Sequence, residues 1–231
     1  MESATPRPKR ASSRDEQVVR SRGARVVYEL VWRASRALFR FFYRLDIRGE
    51  QNIPREGALL VVANHQSHLD PPAVAMAFRK RPLFFLARGG LFKNRVFGWL
   101  IRTLNSIPIG EGKGETAGIR VSLEALDAGR ALLVFPEGSR SPDGELKEFK
   151  RGMWLLVSRA RCDVLPVAIE GAFGAWPRHR PRPSLFGHRI RINIGVPVSA
   201  TDLLAFGPDA GLAHLAAIVD GLRAELLHPK D

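Results

Sequence analysis

The chain is poor in the residues that build disulfide and metal centres. It has one cysteine, Cys162, in 231 residues, which excludes a disulfide framework. No group of His and Cys residues has metal-ligand spacing, so no metal is expected. The N-terminus also lacks the apolar centre, about 7–15 residues long, of a secretory signal, so export is not expected.

Acidic residues are scarce relative to basic ones. The chain carries 23 Asp and Glu against 36 Lys and Arg, a formal net charge of +13. Such a charge favours an anionic partner, namely nucleic acid, an acidic membrane surface or a phosphorylated metabolite. An apolar fraction of 45% and this chain length predict one globular domain with attachments.

The N-terminal fifth of the chain holds about half of this positive net charge. Residues 1–22 have no apolar core of their own and are predicted to be a disordered basic tail. Residues 23–48 are predicted to form an amphipathic helix, and residues 49–231 the folded α/β domain. Apolar side chains recur on one side of that helix, and four arginines recur on the other.

The helix is too rich in arginine to span a bilayer, but it suits a membrane interface. In that position arginines meet anionic headgroups and aromatic rings reach the acyl boundary. The alternative is a helix packed on the domain, and both arrangements are compatible with each other. The predicted membrane contacts are Arg33, Arg36, Leu38, Arg40, Phe41 and Phe42.

Downstream of residue 48, apolar β-branched runs alternate with helical patterns. This alternation predicts an α/β fold with a mixed, largely parallel sheet covered by helices. The predicted strands are 58–63, 82–87, 106–109, 131–135, 164–169 and 189–196; the predicted helices are 71–79, 91–104, 117–128, 152–161 and 210–227.

A histidine and an aspartate follow the first buried strand. Asp70 precedes a proline and is a good helix N-cap. Its carboxylate has an alternative partner in His65, five residues earlier. An imidazole held by a carboxylate has a fixed tautomer and raised basicity, as a general base requires. Such a pair by itself is a weak signal.

A second polar segment follows the strand at 131–135. Its Gly138 permits unusual backbone angles, so the chain can turn tightly there. The guanidinium of Arg140 can grip a phosphate through two parallel hydrogen bonds. Glu137 can accept from a hydroxyl or orient Arg140, and Ser141 completes the turn. In α/β sheets ligands gather beyond the carboxyl ends of the strands, where both segments are expected to lie.

Together these segments resemble the glycerolipid acyltransferases, specifically the 1-acylglycerol-3-phosphate (lysophosphatidic acid) acyltransferases. Residues 64–70, Asn-His-Gln-Ser-His-Leu-Asp, are similar to the family's Asn-His-x4-Asp block. Residues 135–141, Phe-Pro-Glu-Gly-Ser-Arg-Ser, are similar to its Phe-Pro-Glu-Gly-Thr-Arg-Ser block. Residues 165–171, Leu-Pro-Val-Ala-Ile-Glu-Gly, resemble its fourth, proline-containing block.

The resemblance implies a role for each block. His65 and Asp70 are the expected catalytic pair, and Glu137, Gly138, Arg140 and Ser141 the expected substrate-binding residues. The expected reaction moves a fatty acyl group from acyl-CoA or acyl carrier protein to a lysophospholipid, giving phosphatidic acid in phospholipid biosynthesis. No further cofactor is implied. The enzyme is expected on the cytoplasmic face of a membrane, peripheral or monotopic, with no nucleic acid partner.

One block departs from the family pattern. The family usually has an arginine after a short strand, and Glu111 stands about where it belongs. Lys113 is the first candidate to supply that charge, with Arg88 and Lys93 as others. The departure leaves open an acyltransferase with a different lysolipid or polar lipid acceptor.

Two other classes of protein are less well supported. Residues 110–116 are glycine-rich but match neither the P-loop nor the dinucleotide-binding pattern. A non-catalytic module for anionic membranes or nucleic acid would fit the net charge, but no nucleic-acid motif accompanies it. No Gly-x-Ser-x-Gly elbow is present either, which favours direct acyl transfer over a covalent intermediate.

Overall fold

The fold is a mixed α/β sheet covered by helices, as the sequence predicts. A computed structural model describes residues 22–109 and 114–228. In these ranges seven strands form one sheet in the order β1-β7-β6-β2-β5-β3-β4. Every neighbouring pair is parallel except β6 and β7, which are antiparallel. The strands are β1 (Asp46–Arg48), β2 (Leu59–Ala63), β3 (Leu83–Arg88), β4 (Ser106–Ile109), β5 (Ala131–Val134), β6 (Asp163–Glu170) and β7 (Arg191–Ile194).

The helices lie on both faces of this sheet. Short 3-10 turns at Glu50–Asn52 and Gly89–Phe92 join some of the elements. The α-helices are α1 (Arg22–Tyr43), α2 (Asp70–Ala75), α3 (Arg95–Thr103), α4 (Gly114–Asp127), α5 (Arg151–Ala160), α6 (Ala172–Ala175), α7 (Ala200–Ala205) and α8 (Pro208–Leu227). None of the helices in the described ranges is long and apolar enough to cross a membrane.

Strand β2 shows why the core has two halves. All five of its residues are buried, and alternate side chains point to opposite faces. Leu59, Val61 and Ala63 join α1 and α2 in one cluster. Leu60 and Val62 join α4, α5 and α8 in the other. An unbroken apolar run is what a central parallel strand requires, because helices cover both of its faces.

Helix α1 ends earlier than predicted. It stops at Tyr43, and Arg44 adopts a positive φ of 45°. The Asp46 amide then donates to the Ile190 carbonyl at 3.0 Å, and β1 pairs with β7. The predicted helix boundary at residue 48 is therefore wrong, because residues 46–48 are the edge strand of the sheet. The predicted disordered tail lies, apart from Arg22, outside the described residues.

Aromatic side chains fix α1 on the domain. Trp32 is 5% exposed, and its Nε1 donates to the Ala75 carbonyl at 3.0 Å. Tyr43 is also buried, and Phe39 packs against the same cluster. On another side of α1 the side chains of Val27, Leu30, Leu38 and Phe41 are exposed. We call these four residues the apolar stripe.

Two of the predicted membrane contacts on α1 turn toward the protein. The Arg36 Nη1 donates to the Met76 carbonyl at 2.5 Å and to Glu50 Oε1 at 3.0 Å. The Phe42 ring is partly buried and lies 5.2 Å from the ring of Phe186. Both side chains face the domain because residues distant in the sequence, Met76 and Phe186, supply contacts for them.

Candidate active site

The two polar segments meet at the carboxyl ends of neighbouring strands. Strands β2 and β5 are hydrogen-bonded partners, with Val62 opposite Val134. Continuing that register three residues brings His65 beside Glu137. The Ser141 amide donates to the His65 carbonyl at 2.7 Å, which joins the two segments directly.

His65 and Asp70 form a hydrogen-bonded pair. The distance from His65 Nδ1 to Asp70 Oδ2 is 2.8 Å. The Asp70 side chain is fully buried, whereas 17% of the His65 side chain is exposed. Because Nδ1 is bound to Asp70, Nε2 is the ring nitrogen left to take a proton. The pair has the arrangement of a general base held by a carboxylate.

Asp70 is held by the loop that precedes it. Its Oδ2 also accepts from the amides of Gln66 and Ser67, each at 2.6 Å. The carboxylate thus turns back to His65, and the N-cap position of α2 belongs to Leu69. Burial raises the pKa of the Asp70 carboxyl above its ordinary value, although its bonds to His65, Ser67 and Gln66 act in the opposite direction. A more basic carboxylate binds the Nδ1 proton more firmly.

The loop between His65 and Asp70 is anchored to β6. The Asn64 amide group donates to the Ile169 carbonyl at 2.9 Å and accepts from the Ile169 amide at 2.7 Å. Ser67 Oγ donates to the Trp176 carbonyl at 2.7 Å. These contacts hold the polar loop at the end of β2 in one conformation around His65.

Glu137 and Ser141, for which the sequence predicts a contact with substrate, have partners inside the protein. Glu137 is 1% exposed, and its Oε1 accepts from the His65 amide at 2.6 Å. Burial raises the pKa of this carboxyl to about 7. Ser141 is fully buried; its Oγ donates to Asp143 Oδ1 at 2.7 Å and accepts from the Gly144 amide. Both side chains hold the backbone of the site in place.

Gly138 and Arg140 lie at the accessible part of the turn. Gly138 is exposed and has a positive φ of 70°, as the tight turn requires. Arg140 is half-buried. The pKa of His68 is lowered by burial first and then by the charges of Arg140 and His65. The positive charge of Arg140 therefore acts on the loop that carries His65 and His68.

Several residues of the site were not predicted from the sequence. The Phe135 ring stacks on the His65 ring, with centroids 3.9 Å apart and planes 16° apart. The Lys147 Nζ donates to Ser139 Oγ at 2.7 Å. Arg223, 7% exposed, donates to Glu170 Oε2 at 2.7 Å, and Gln66 Nε2 donates to the same oxygen at 3.3 Å. Phe135, Gln66 and Glu170 stand inside the quoted sequence blocks, whereas nothing in the sequence marked Lys147 or Arg223.

Two residues discussed from the sequence cannot be placed at this site. Lys113 and Glu111 lie outside the described residues. In the described ranges no three His, Cys, Asp or Glu side chains lie together in a way that would hold a metal ion. The site as described therefore consists of an imidazole–carboxylate pair beside a cationic turn.

Comparisons with known proteins agree with this geometry. Residues 44–170, more than half of the chain, match the family Acyltransferase. The chain therefore belongs to the acyltransferase family. Both catalytic candidates and the whole 135–141 turn fall within the matched segment.

Characterised relatives share about a quarter to a third of their residues with this chain. The chain is 29% identical over 169 residues to a chloroplastic 1-acyl-sn-glycerol-3-phosphate acyltransferase of Brassica napus, covering 71% of this chain and 48% of that protein. It is 28% identical to the 1-acyl-sn-glycerol-3-phosphate acyltransferase of Streptococcus pneumoniae, over 68% of this chain and 56% of the other. The chain thus spans about half the length of these curated relatives.

A solved structure supports the fold over nearly the whole chain. It is the crystal structure of the 1-acyl-sn-glycerophosphate (LPA) acyltransferase of Thermotoga maritima. The two chains are 26% identical, the TM-score is 0.75, and the match covers 94% of this chain and 88% of the other. The mixed sheet and its covering helices are therefore shared with an enzyme of this family.

Proposed function

We propose that the chain transfers a fatty acyl group from a thioester donor, acyl-CoA or acyl carrier protein, to the free hydroxyl of 1-acylglycerol-3-phosphate. The product is phosphatidic acid. The observation that carries this proposal is the bond of 2.8 Å between His65 and a fully buried Asp70, beside a turn that contains Arg140. The names of the relatives give the same acceptor, 1-acylglycerol-3-phosphate.

In the proposed reaction His65 is the general base. Its Nε2 takes the proton of the lysolipid hydroxyl while that oxygen attacks the thioester carbonyl. The tetrahedral intermediate then collapses, the C–S bond breaks, and the imidazolium returns its proton to the leaving thiolate. Asp70 holds Nδ1 and stabilises the imidazolium, and the stacked Phe135 ring adds a cation–π contact to it. A thioester is already activated, so no acyl-enzyme is needed.

Arg140 is the proposed contact for the phosphate of the acceptor. A guanidinium forms two parallel hydrogen bonds with a phosphate, and Gly138 lies in the same turn as a further proposed contact. Lys113 is a second proposed contact. Glu137 and Ser141 act one step away, because they fix the amide and the carbonyl of His65.

Helix α1 is the proposed membrane contact, at the cytoplasmic face. Its exposed residues Leu30, Leu38 and Phe41 would enter the acyl boundary, and Arg33 and Arg40 beside them would meet anionic headgroups. Both the lysolipid and the product are membrane lipids. A helix in the interface therefore brings the site to the layer in which its substrate is dissolved.

The test is thiol release from palmitoyl-CoA with a panel of lysolipids that differ in headgroup. We expect release with 1-acylglycerol-3-phosphate, much less with lysophosphatidylcholine, and none with the His65→Ala variant. Equal rates with all headgroups would contradict the proposed acceptor. No release with any of them would contradict the proposed reaction.

A further inference from the structure

A cavity of about 280 Å³ lies beside α1, and none of the residues around it belongs to the site described above. Four of its six lining residues carry a guanidinium, and one carries a carboxylate. We name it the arginine cavity; its lining residues are Trp32, Arg33, Arg36, Arg40, Glu50 and Arg79.

The floor of the arginine cavity is fixed before any ligand binds. The Arg36 Cζ lies 5.3 Å from the centroid of the Trp32 ring, and Trp32 itself is buried and hydrogen-bonded to Ala75. The Arg36 Nη1 is held by Met76 and Glu50. Its Nε and Nη2 donate to no residue in the described ranges. A guanidinium that is already oriented loses little side-chain entropy when it binds an anion.

The rest of the cavity carries uncompensated positive charge. Arg33 pairs with Glu29 at 3.5 Å, but both side chains are exposed, and such a pair is worth little in water. Among the described residues, neither Arg40 nor Arg79 has an ion-pair partner. The only lining carboxylate, Glu50, is bonded to Arg36. Several guanidinium groups around one space suit a phosphate.

The neighbouring surface indicates that this phosphate belongs to a lipid. Leu30 and Phe41 are 60% and 71% exposed. At 3.6 residues per turn they lie roughly a quarter of a turn around α1 from Arg33 and Arg40. A lipid lying along α1 would therefore place its chains on the apolar stripe and its headgroup at the cavity.

We propose that the arginine cavity binds the phosphomonoester group of phosphatidic acid. A phosphodiester, such as that of phosphatidylserine, offers one fewer unesterified oxygen and less negative charge to the guanidinium groups. The site rests on the proposed membrane position of α1 but goes beyond it. Diffuse attraction would depend on charge alone, whereas this site needs Arg79, which lies outside the helix. It is also separate from Arg140, the proposed contact for the acceptor.

The experiment compares Arg79→Gln with Lys80→Gln. Lys80 is the next residue, is also exposed and does not line the cavity, so each variant removes one neighbouring charge. Both are made in full-length His65→Ala protein, so that no turnover changes the vesicles. Binding is measured to phosphatidylcholine vesicles that contain phosphatidic acid, and to vesicles that contain phosphatidylserine at a matched surface potential.

We expect the two variants to lose similar affinity for phosphatidylserine vesicles. For phosphatidic acid vesicles Arg79→Gln should lose about tenfold more than Lys80→Gln, since a charge-assisted phosphate contact is lost. The loss of affinity in Arg79→Lys should lie between these two losses, because lysine keeps the charge but lacks the planar guanidinium. Equal losses on phosphatidic acid vesicles would overturn the discrete site.

A calorimetric titration with inorganic phosphate and glycerol 3-phosphate separates a lipid from a soluble ligand. Neither should bind tightly without an acyl chain. Tight binding that disappears in Arg79→Gln would overturn the lipid assignment and give the cavity to a soluble phosphate. All these measurements report binding in a catalytically inactive variant, so their outcome is independent of whether acyl transfer itself is confirmed.

Discussion

The active-site loops and helix α1 are held to the same sheet by opposite means. The loop at 64–70 is fixed by buried hydrogen bonds, from Asn64 to β6 and from Asp70 to its own loop. Helix α1 is fixed mainly by aromatic side chains on one face and leaves its apolar stripe exposed. The first region is ordered around the imidazole of His65. The second keeps a surface that the protein itself does not use.

The difference teaches that buried polar atoms are the better guide to function in the interior. A buried carboxylate costs free energy unless hydrogen bonds stabilise it. Asp70 Oδ2 has three such bonds. On the surface, exposed apolar side chains are the better guide to function, because they are the ones that need a partner.

The largest effect should follow from removing the base. His65→Ala should lower kcat by about 10²–10⁴-fold, the usual worth of general-base catalysis. The kcat of Asp70→Asn should fall nearly as far, because Nδ1 of His65 loses its carboxylate partner. Thiol release measures both. The thermal unfolding and vesicle binding of His65→Ala serve as controls, and a variant that kept more than about a tenth of the activity would refute the assignment.

Arg140→Ala should have the next largest effect, confined to one substrate. The KM for 1-acylglycerol-3-phosphate should rise about ten- to a hundredfold, because a hydrogen bond to a charged group is worth about 1.5–3 kcal/mol. The KM of the thioester should stay nearly constant. Arg151→Ala is the matched control, since Arg151 makes an exposed ion pair with Asp209. A rise in the KM of the donor alone would assign the turn to the other substrate.

Glu137 gives a prediction about stability and pH. Its pKa is about 7 in the folded protein, above the ordinary 4.5, so the folded state binds this proton more tightly. The resulting stabilisation is present below pH 4.5 and is lost as the pH rises toward 7. Relative to the parent, Glu137→Gln should therefore gain on the order of 2 kcal/mol between pH 5 and 8. Urea unfolding at several pH values measures this, and a constant difference would argue against the raised pKa.

The smallest effect is expected on α1, where the exposed and the packed side chains can be compared. Leu38→Ser with Phe41→Ser should weaken binding to neutral and anionic vesicles about tenfold, through lost apolar burial, with little change in Tm. Phe39→Ala should instead lower the free energy of unfolding by about 1–3 kcal/mol and leave vesicle binding intact. The opposite assignment of the two effects would mean that the wrong face of α1 has been given to the membrane.

The charged side of α1 is tested by salt. Arg33→Gln with Arg40→Gln should weaken binding to anionic vesicles only, and moderate salt should have the same effect, since the Debye length is about 10 Å at 0.1 M. A loss of binding to neutral vesicles would mean that these arginines act by packing.

The sequence predicted the central strands and the pairing of His65 with Asp70 well, because both are local patterns. Apolar runs marked the central strands within one or two residues, and the helix predicted to end at residue 128 ends at Asp127. The pairing of His65 with Asp70 was one of two alternatives, and the structure decides for it. The substrate-binding roles of Gly138, Arg140 and Lys113 remain predictions.

Several side-chain positions could not be predicted because they depend on contacts between distant residues. Arg36 turns inward because Met76, 40 residues away, offers its carbonyl. Glu137 turns inward because the His65 amide, 72 residues away, needs an acceptor. Arg223 joins Glu170 across 53 residues. No periodicity or motif marks such pairs, since they exist only after the sheet has assembled.

The pairing of β1 with β7 has a consequence for synthesis on the ribosome. Arg189, just before β7, forms an ion pair with Asp46 of β1 across 143 residues. A chain made from its N-terminus thus completes α1 long before the strand that anchors β1 exists. At about 5–20 residues per second, that interval is on the order of 10 seconds. During it, the apolar stripe of α1 is free to meet a membrane, so we expect attachment to the bilayer to precede completion of the sheet.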